Sequence, residues 1–212
     1  YRDFPDQVRY GGADPQVVFA PDGTAVFLAL SSGSVTDDEG KERGGMVVYR
    51  STDGGFTWPQ TQYICCSHDH PQTTVDLSNG QYGGRIYVGT LHDYPVYRVS
   101  VFRSDDGGQT FTGPVEAANG GGEIGINVIS TTVLNDGTLL VPFVDFEFKP
   151  DKIKRHGNAS QNLWMVSSTD GGVTFGNRVK IASYTSNLDD RTSFSAPTIV
   201  SSSVATGFPG HV

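Results

Sequence analysis

The stretch Ser51-Thr52-Asp53-Gly54-Gly55-Phe56-Thr57-Trp58 decides the fold, because the chain repeats its pattern twice. The second copy, SDDGGQTF, occupies positions 104–111, and the third, STDGGVTF, occupies positions 168–175. All three read S-x-D-G-G-x-T-aromatic. Because the spacing between copies is that of one supersecondary unit, the repeat predicts a β-propeller or a solenoid.

The chemistry of the repeat is that of a tight turn. The Ser hydroxyl and the Asp carboxylate accept hydrogen bonds from nearby backbone N–H groups, and the paired glycines supply positive φ angles. We therefore predict that the three carboxylates hold hairpins rather than take part in catalysis, and that the closing aromatic side chains are buried. The carboxylates are Asp53, Asp106 and Asp170, and the aromatic residues are Trp58, Phe111 and Phe175.

The repeat resembles the box of the BNR, or Asp-box, family, whose best-known members are sialidases and related glycan-active β-propellers. The resemblance implies an all-β propeller of four-stranded antiparallel blades, with the boxes on the face away from the active site. Strand-like runs divide the chain into blades at roughly 14–63, 68–117 and 126–184, with the start of a fourth from about 190. About three and a half blades of an implied six are present, so we expect missing blades or a second chain to close the ring.

The composition fits an exported all-β protein. The 212 residues include 27 glycines, and the net charge is −8 with no basic run. This charge argues against nucleic acid and anionic membrane surfaces as partners. No apolar run approaches the ~20 residues of a membrane span, and no signal peptide is recognisable at the start of this sequence. We expect a secreted or periplasmic protein whose signal is absent from this chain.

The two cysteines, Cys65 and Cys66, are neighbours in the sequence. A disulfide between neighbours closes a very small ring and constrains little of the chain, so it cannot staple the fold. The sequence leaves two alternatives open, namely a pair of free thiols and a vicinal disulfide.

Strand reversal sorts the predicted loops onto two faces. Each box joins the last two strands of a blade, so the connections between blades and the loops between second and third strands lie on the opposite face. The densest group of titratable residues falls in these loops, and we predict that it converges there as the catalytic site. Its members are His68, Asp69, His70, His92 and Asp93.

Imidazoles and carboxylates in this number fit general acid and base chemistry, and they leave a divalent cation open, although nothing in the sequence supports one. No cofactor is expected. The alternative is that Asp69 and His70 only tie adjacent blades together through hydrogen bonds. Four more residues of the same loops are predicted to contact the substrate: Arg9, Asp14, Tyr94 and Asp145.

The resemblance to sialidases can be examined at the residues themselves. Sialidases share an arginine triad that holds the substrate carboxylate, a Tyr–Glu pair and an Asp acid/base, and the first arginine lies in an F/Y-R-I-P motif. Tyr1-Arg2-Asp3-Phe4-Pro5 is only loosely similar to that motif, with one extra residue before the proline. The Tyr–Glu pair and the later arginines come from blades beyond the third.

These observations predict a secreted, glycan-directed propeller, a sialidase-like glycoside hydrolase that acts on a glycan or glycoconjugate. The alternative is a non-catalytic module that binds a glycan or a protein through exposed aromatic residues of the same face. Those residues are Tyr94, Tyr97 and Phe146.

Overall fold

A computed structural model of the chain describes residues 12–36, 42–92, 96–120, 124–147 and 157–188. All regular structure in these ranges is β-strand, arranged as three antiparallel sheets. Sheet 1 contains β1 (Gly12–Phe19), β2 (Ala25–Thr36), β3 (Glu42–Ser51) and β4 (Gln60–Cys65). Sheet 2 contains β5 (His68–Val75), β6 (Ile86–His92), β7 (Arg98–Ser104) and β8 (Thr112–Asn119).

Sheet 3 contains five strands in four positions: β9 (Ile124–Val128), β10 (Thr132–Val133), β11 (Leu139–Glu147), β12 (Gly157–Ser168) and β13 (Val179–Leu188). Both β9 and β10 pair with β11, so together they replace the single first strand of the other sheets. The strand order within each sheet follows the chain, which confirms the predicted all-β, antiparallel four-stranded arrangement.

The strand registers define two faces. In sheet 1, Ala25 pairs with both Phe19 and Ser51, so the β1–β2 turn and the first box emerge at the same end. We call this end, with its equivalents in the other sheets, the box face. At the other end, Gly45 pairs with Cys65, and in sheet 2 His68 pairs with His92. We call this end the opposite face.

Each box forms the hydrogen bonds expected of its turn. In sheet 1, Asp53 Oδ1 accepts from the backbone N–H groups of Phe56 and Thr57 at 3.0 Å each, and Oδ2 accepts from the Thr57 hydroxyl at 2.6 Å. The Ser51 hydroxyl accepts from the backbone N–H of Gly55 at 2.9 Å. The same bonds recur around Asp106 and Asp170.

Apolar faces of successive sheets pack against each other. The core between sheets 1 and 2 includes Leu28 and Val48 from one sheet and Ile86 and Phe102 from the other. Phe111, the closing residue of the second box, lies in this core and is 6% exposed, as predicted. The prediction of burial holds only in part for Trp58 and Phe175, which are half-buried.

The different position of Trp58 has a physical cause. Its indole Nε1 donates to the carbonyl of Gly55 at 3.0 Å within its own box. The equivalent glycine carbonyls of the later boxes accept instead from the preceding sheet, because the Thr61 hydroxyl donates to Gly108 at 2.9 Å and Arg103 donates to Gly172 at 3.3 Å. Neighbouring sheets are therefore joined at the box face by hydrogen bonds as well as by apolar packing.

The structure pairs the two cysteines, in line with the second of the two alternatives. Cys65 and Cys66 are joined as a vicinal disulfide at the opposite face, directly before β5.

Candidate functional site

The first strands of sheets 1 and 2 lie side by side and carry the same short motif at the opposite face. The motif is Asp14-Pro15-Gln16 in β1 and His70-Pro71-Gln72 in β5. In both strands the register shifts within this motif, which places a β-bulge there. Bulges change the direction of a side chain and are frequent beside active sites.

Asp14 and His70 also share a rare backbone conformation. Their φ angles are +50° and +49°, in the left-handed region that non-glycine residues seldom adopt. Such strain persists only where the surrounding structure imposes it, and it concentrates at functional sites. The repeated bulge thus presents an acidic side chain from one sheet to an imidazole from the next.

His70 is at the centre of the resulting cluster. Its Nδ1 lies 3.5 Å from Asp14 Oδ2, and its Nε2 lies 3.7 Å from Asp69 Oδ2. The backbone N–H of His70 donates to Asp69 Oδ1 at 2.9 Å. The three side chains are between 37% and 48% exposed, so the cluster is open to a ligand.

The arrangement can transfer protons or hold a cation. One nitrogen or oxygen atom from each of Asp14, Asp69 and His70 lies within 4.8 Å of the others, a spacing that could accommodate a divalent metal ion. Contacts of 3.5 to 3.7 Å are long for hydrogen bonds, but catalytic hydrogen bonds often shorten only when substrate binds. Both uses stay predictions.

His68 has a different environment from His70, although only two residues separate them. The His68 ring packs at 4.8 Å from the ring of His92 and at 5.0 Å, edge-on, from that of Phe102 in the core between sheets 1 and 2. Burial, and then the nearby His92, lower the pKa of His68 from its ordinary value of 6.5 to about 4. His68 is therefore neutral at pH 7, and its ring packs beneath the cluster instead of facing a ligand.

Asp145 ties two strands of sheet 3. Its Oδ1 accepts from the backbone N–H of Asn162 at 2.9 Å, and its Oδ2 accepts from the indole Nε1 of Trp164 at 2.7 Å. The side chain is 7% exposed. These contacts give Asp145 a structural role, and its predicted contact with substrate stays a prediction.

The structure places His68, Asp69, His70 and His92 at the same end of sheet 2, and it adds Asp14 from sheet 1. Asp93, Arg9 and Tyr94 lie outside the described residues, as do Tyr1 to Pro5. Tyr97, which was predicted as an exposed aromatic contact, is half-buried against the core between sheets 2 and 3. Sequence reasoning missed the pairing of Asp14 with His70, although the Pro-Gln that follows both residues marks them as equivalent.

No family model matches the chain, and no curated protein matches it. Solved structures do match. A Hadza microbial sialidase superposes with a TM-score of 0.56 and 19% identity, over 81% of this chain and 38% of the sialidase. An α-L-arabinanase from Penicillium chrysogenum superposes with a TM-score of 0.57 and 19% identity, over 84% of this chain and 52% of the arabinanase. An α-L-arabinofuranosidase from Fusarium graminearum superposes with a TM-score of 0.59 and 17% identity, over 82% of this chain and 50% of the arabinofuranosidase.

Sequence identities of 17% to 19% show that this chain and the three solved structures share a fold, and they show no more than that. The three sheets have the architecture of the propellers of glycan-active proteins, and the chain spans about half or less of the length of these three structures. The number of blades and the closure of the ring stay predictions. Within the described ranges, no helix is long and apolar enough to cross a membrane.

Proposed function

We propose that this chain is part of a secreted or periplasmic, sialidase-like glycoside hydrolase with Asp14, Asp69 and His70 in its active site. The observation that carries the proposal is the convergence of these three groups from two sheets on one half-exposed point. The propeller fold of the glycan-active neighbours supports the reaction class. The vicinal disulfide fits export, because disulfides persist in oxidising compartments.

The geometry suggests a role for each group. Both oxygens of Asp69 face His70, one towards the backbone N–H and the other towards ring Nε2, so Asp69 positions the imidazole. Within the described part of the chain, Asp14 contacts His70 with Oδ2 alone, so its Oδ1 is the oxygen that we assign to a substrate. We assign Asp14 as the carboxyl group that exchanges a proton with the glycosidic oxygen or with water, and His70 as the imidazole that contacts and orients it.

The spacing also shows how much of the reaction this cluster can carry. Glycosidases place their two carboxyl groups on either side of the scissile bond, about 5 to 5.5 Å apart in retaining enzymes and about 6.5 to 9.5 Å apart in inverting ones. Here oxygen atoms of Asp14 and Asp69 lie within 4.8 Å of each other, and the imidazole stands between them. Because the imidazole lies between the two carboxylates, the cluster acts on one side of the substrate.

The test is hydrolysis of a panel of aryl glycosides by the purified protein and by two variants, Asp14→Asn and His70→Ala. We expect each variant to lose at least a hundredfold in kcat on any glycoside that the native protein cleaves, because a positioned acid or base contributes on the order of 10²- to 10⁴-fold. Asp136→Asn, in a turn on the box face, is the matched control and should keep full activity.

Two outcomes would reject the hydrolase. Binding of glycans without turnover would favour the non-catalytic module. A native protein that neither cleaves nor binds any glycan would reject the glycan-directed function altogether.

A further inference from the structure

The charge of the cluster restricts the sugar that it can accept. From the arrangement of Asp14, His70 and Asp69 we infer that the sugar unit bound there is uncharged, so that an anionic sugar such as a sialic or uronic acid is disfavoured at this position. The inference rests on the proposed function, in which the likeness to sialidases concerns the fold and the reaction class, and it assigns this site a different sugar from the carboxylate-bearing substrate of sialidases.

The first step concerns the carboxylates themselves. Asp14 and Asp69 lie on either side of one imidazole and are 37% and 44% exposed, so a bound sugar meets both charges. Even when His70 is protonated, two carboxylates and one imidazolium leave a net charge of −1. With His70 neutral, a substrate carboxylate about 5 Å from both groups would bind more weakly by roughly ten- to a hundredfold, since like charges repel at that distance.

The second step concerns the cations that could offset this repulsion. Arginine is the residue best suited to hold a carboxylate, because its guanidinium offers two parallel donors. Among the residues whose side chains the structure describes there are five arginines, and each is engaged elsewhere, whereas Arg9, predicted above to contact the substrate, lies outside those residues. Three of the five, Arg50, Arg85 and Arg103, donate to backbone carbonyls on the box face. Arg98 lies 3.5 Å from Glu116, and Arg178 stacks on the Trp164 ring at 4.6 Å.

The third step concerns the shape of the cluster. Asp14 and His70 project from bulges held by the positive φ angles, so the direction of both side chains is fixed by the backbone rather than by a flexible loop. A neutral sugar presents hydroxyl groups, which donate hydrogen bonds to carboxylates directly. The same carboxylates that would repel an anionic sugar therefore bind a neutral sugar through its hydroxyl groups.

The experiment measures dissociation constants for matched pairs of aryl glycosides that differ only at C6, glucoside with glucuronide and galactoside with galacturonide. Titration calorimetry of the native protein should show the neutral member of any bound pair binding at least tenfold more tightly. The preference should shrink severalfold in Asp69→Asn, which removes one charge, and at 0.5 M salt, because screening weakens the repulsion. Asp136→Asn, the matched control on the box face, should keep the full preference.

Tighter binding of the uronide or of a sialoside would overturn the inference while leaving the proposed function intact. A preference for the anionic sugar that appears only with added Ca²⁺ and disappears with EDTA would also overturn it, since a cation held by the same three groups would then cancel the charge of the two carboxylates and could bind the sugar carboxylate. If no glycan of either kind binds or is cleaved, the proposed function fails, and the inference fails with it.

Discussion

The box face and the opposite face of the same sheets carry carboxylates in contrasting states. On the box face, hydrogen bonds from the Thr57 side chain, the Thr57 backbone and Ser51 hold the pKa of Asp53 well below its usual range. On the opposite face, Asp14 and Asp69 meet across two sheets around His70. The box carboxylates use their acceptor capacity within their own turns, whereas Asp14 faces an imidazole from another sheet, and the proposed function rests on that contact.

The box carboxylates differ from the residues of the candidate site in how regularly they repeat among the three sheets. The box carboxylates occur in all three sheets with the same partners, so no one of them can account for chemistry at a single point. The Asp14 and His70 bulges occupy equivalent positions but differ in side chain, and in sheet 3 the first strand is divided into β9 and β10 at this level. The repeat builds the scaffold, and the departures from the repeat form the candidate site.

The largest expected effect concerns packing at the box face. Phe111→Ala should lower the free energy of unfolding by about 3 to 5 kcal/mol, because it leaves a cavity in the core between sheets 1 and 2. Phe56→Ala is the matched control, since that side chain is 72% exposed and its loss should change stability by less than about 0.5 kcal/mol. Equal effects in urea denaturation would show that the box aromatic residues do not join the sheets.

The next effect concerns pH and tests the opposite face. His68 has a folded-state pKa of about 4 against 6.5 when unfolded, so the folded state binds its proton less readily. Its contribution to stability is complete above pH 6.5 and is lost as pH falls towards 4, by about 3 kcal/mol. His68→Phe should flatten the stability profile in this window. An unchanged profile in His68→Phe would mean that the ring is hydrated.

A smaller effect tests the box carboxylates. Asp106→Ala should cost about 1 to 2 kcal/mol of stability through the lost turn hydrogen bonds. Its kcat/KM on any cleaved glycoside should equal that of the native protein. Thermal unfolding together with steady-state kinetics measures both quantities. A selective loss of activity at unchanged stability would place chemistry on the box face and reverse the comparison.

The smallest effect has the opposite sign. His70→Gly should raise stability by about 0.5 to 1 kcal/mol, because relief of the left-handed strain exceeds the extra chain entropy of glycine. Activity should fall at least a hundredfold. Ser67→Gly is the matched control, since Ser67 also has a positive φ of 60° and should gain stability without losing activity. A destabilised His70→Gly would instead favour the alternative in which His70 only ties the two sheets.

Part of the candidate site could be predicted because strand direction alone sorts loops onto faces. That logic brought His68, Asp69, His70 and His92 to one end of sheet 2, where the structure has them. It could not separate His68 from His70, because their difference depends on which ring enters the core beside Phe102. Nor could it pair Asp14 with His70, since two bulges and the packing of β1 on β5 set that contact.

The sequence by itself determined the turns, the strand order and the all-β class, because glycine, serine and aspartate at fixed spacing impose local hydrogen bonds that need no distant partner. Only the tertiary structure decided which titratable groups share a point in space and which are buried. Those properties arise between sheets, from bulges that redirect Asp14 and His70 and from a core that desolvates His68. Local geometry is encoded residue by residue, whereas proximity and solvation are collective consequences of packing.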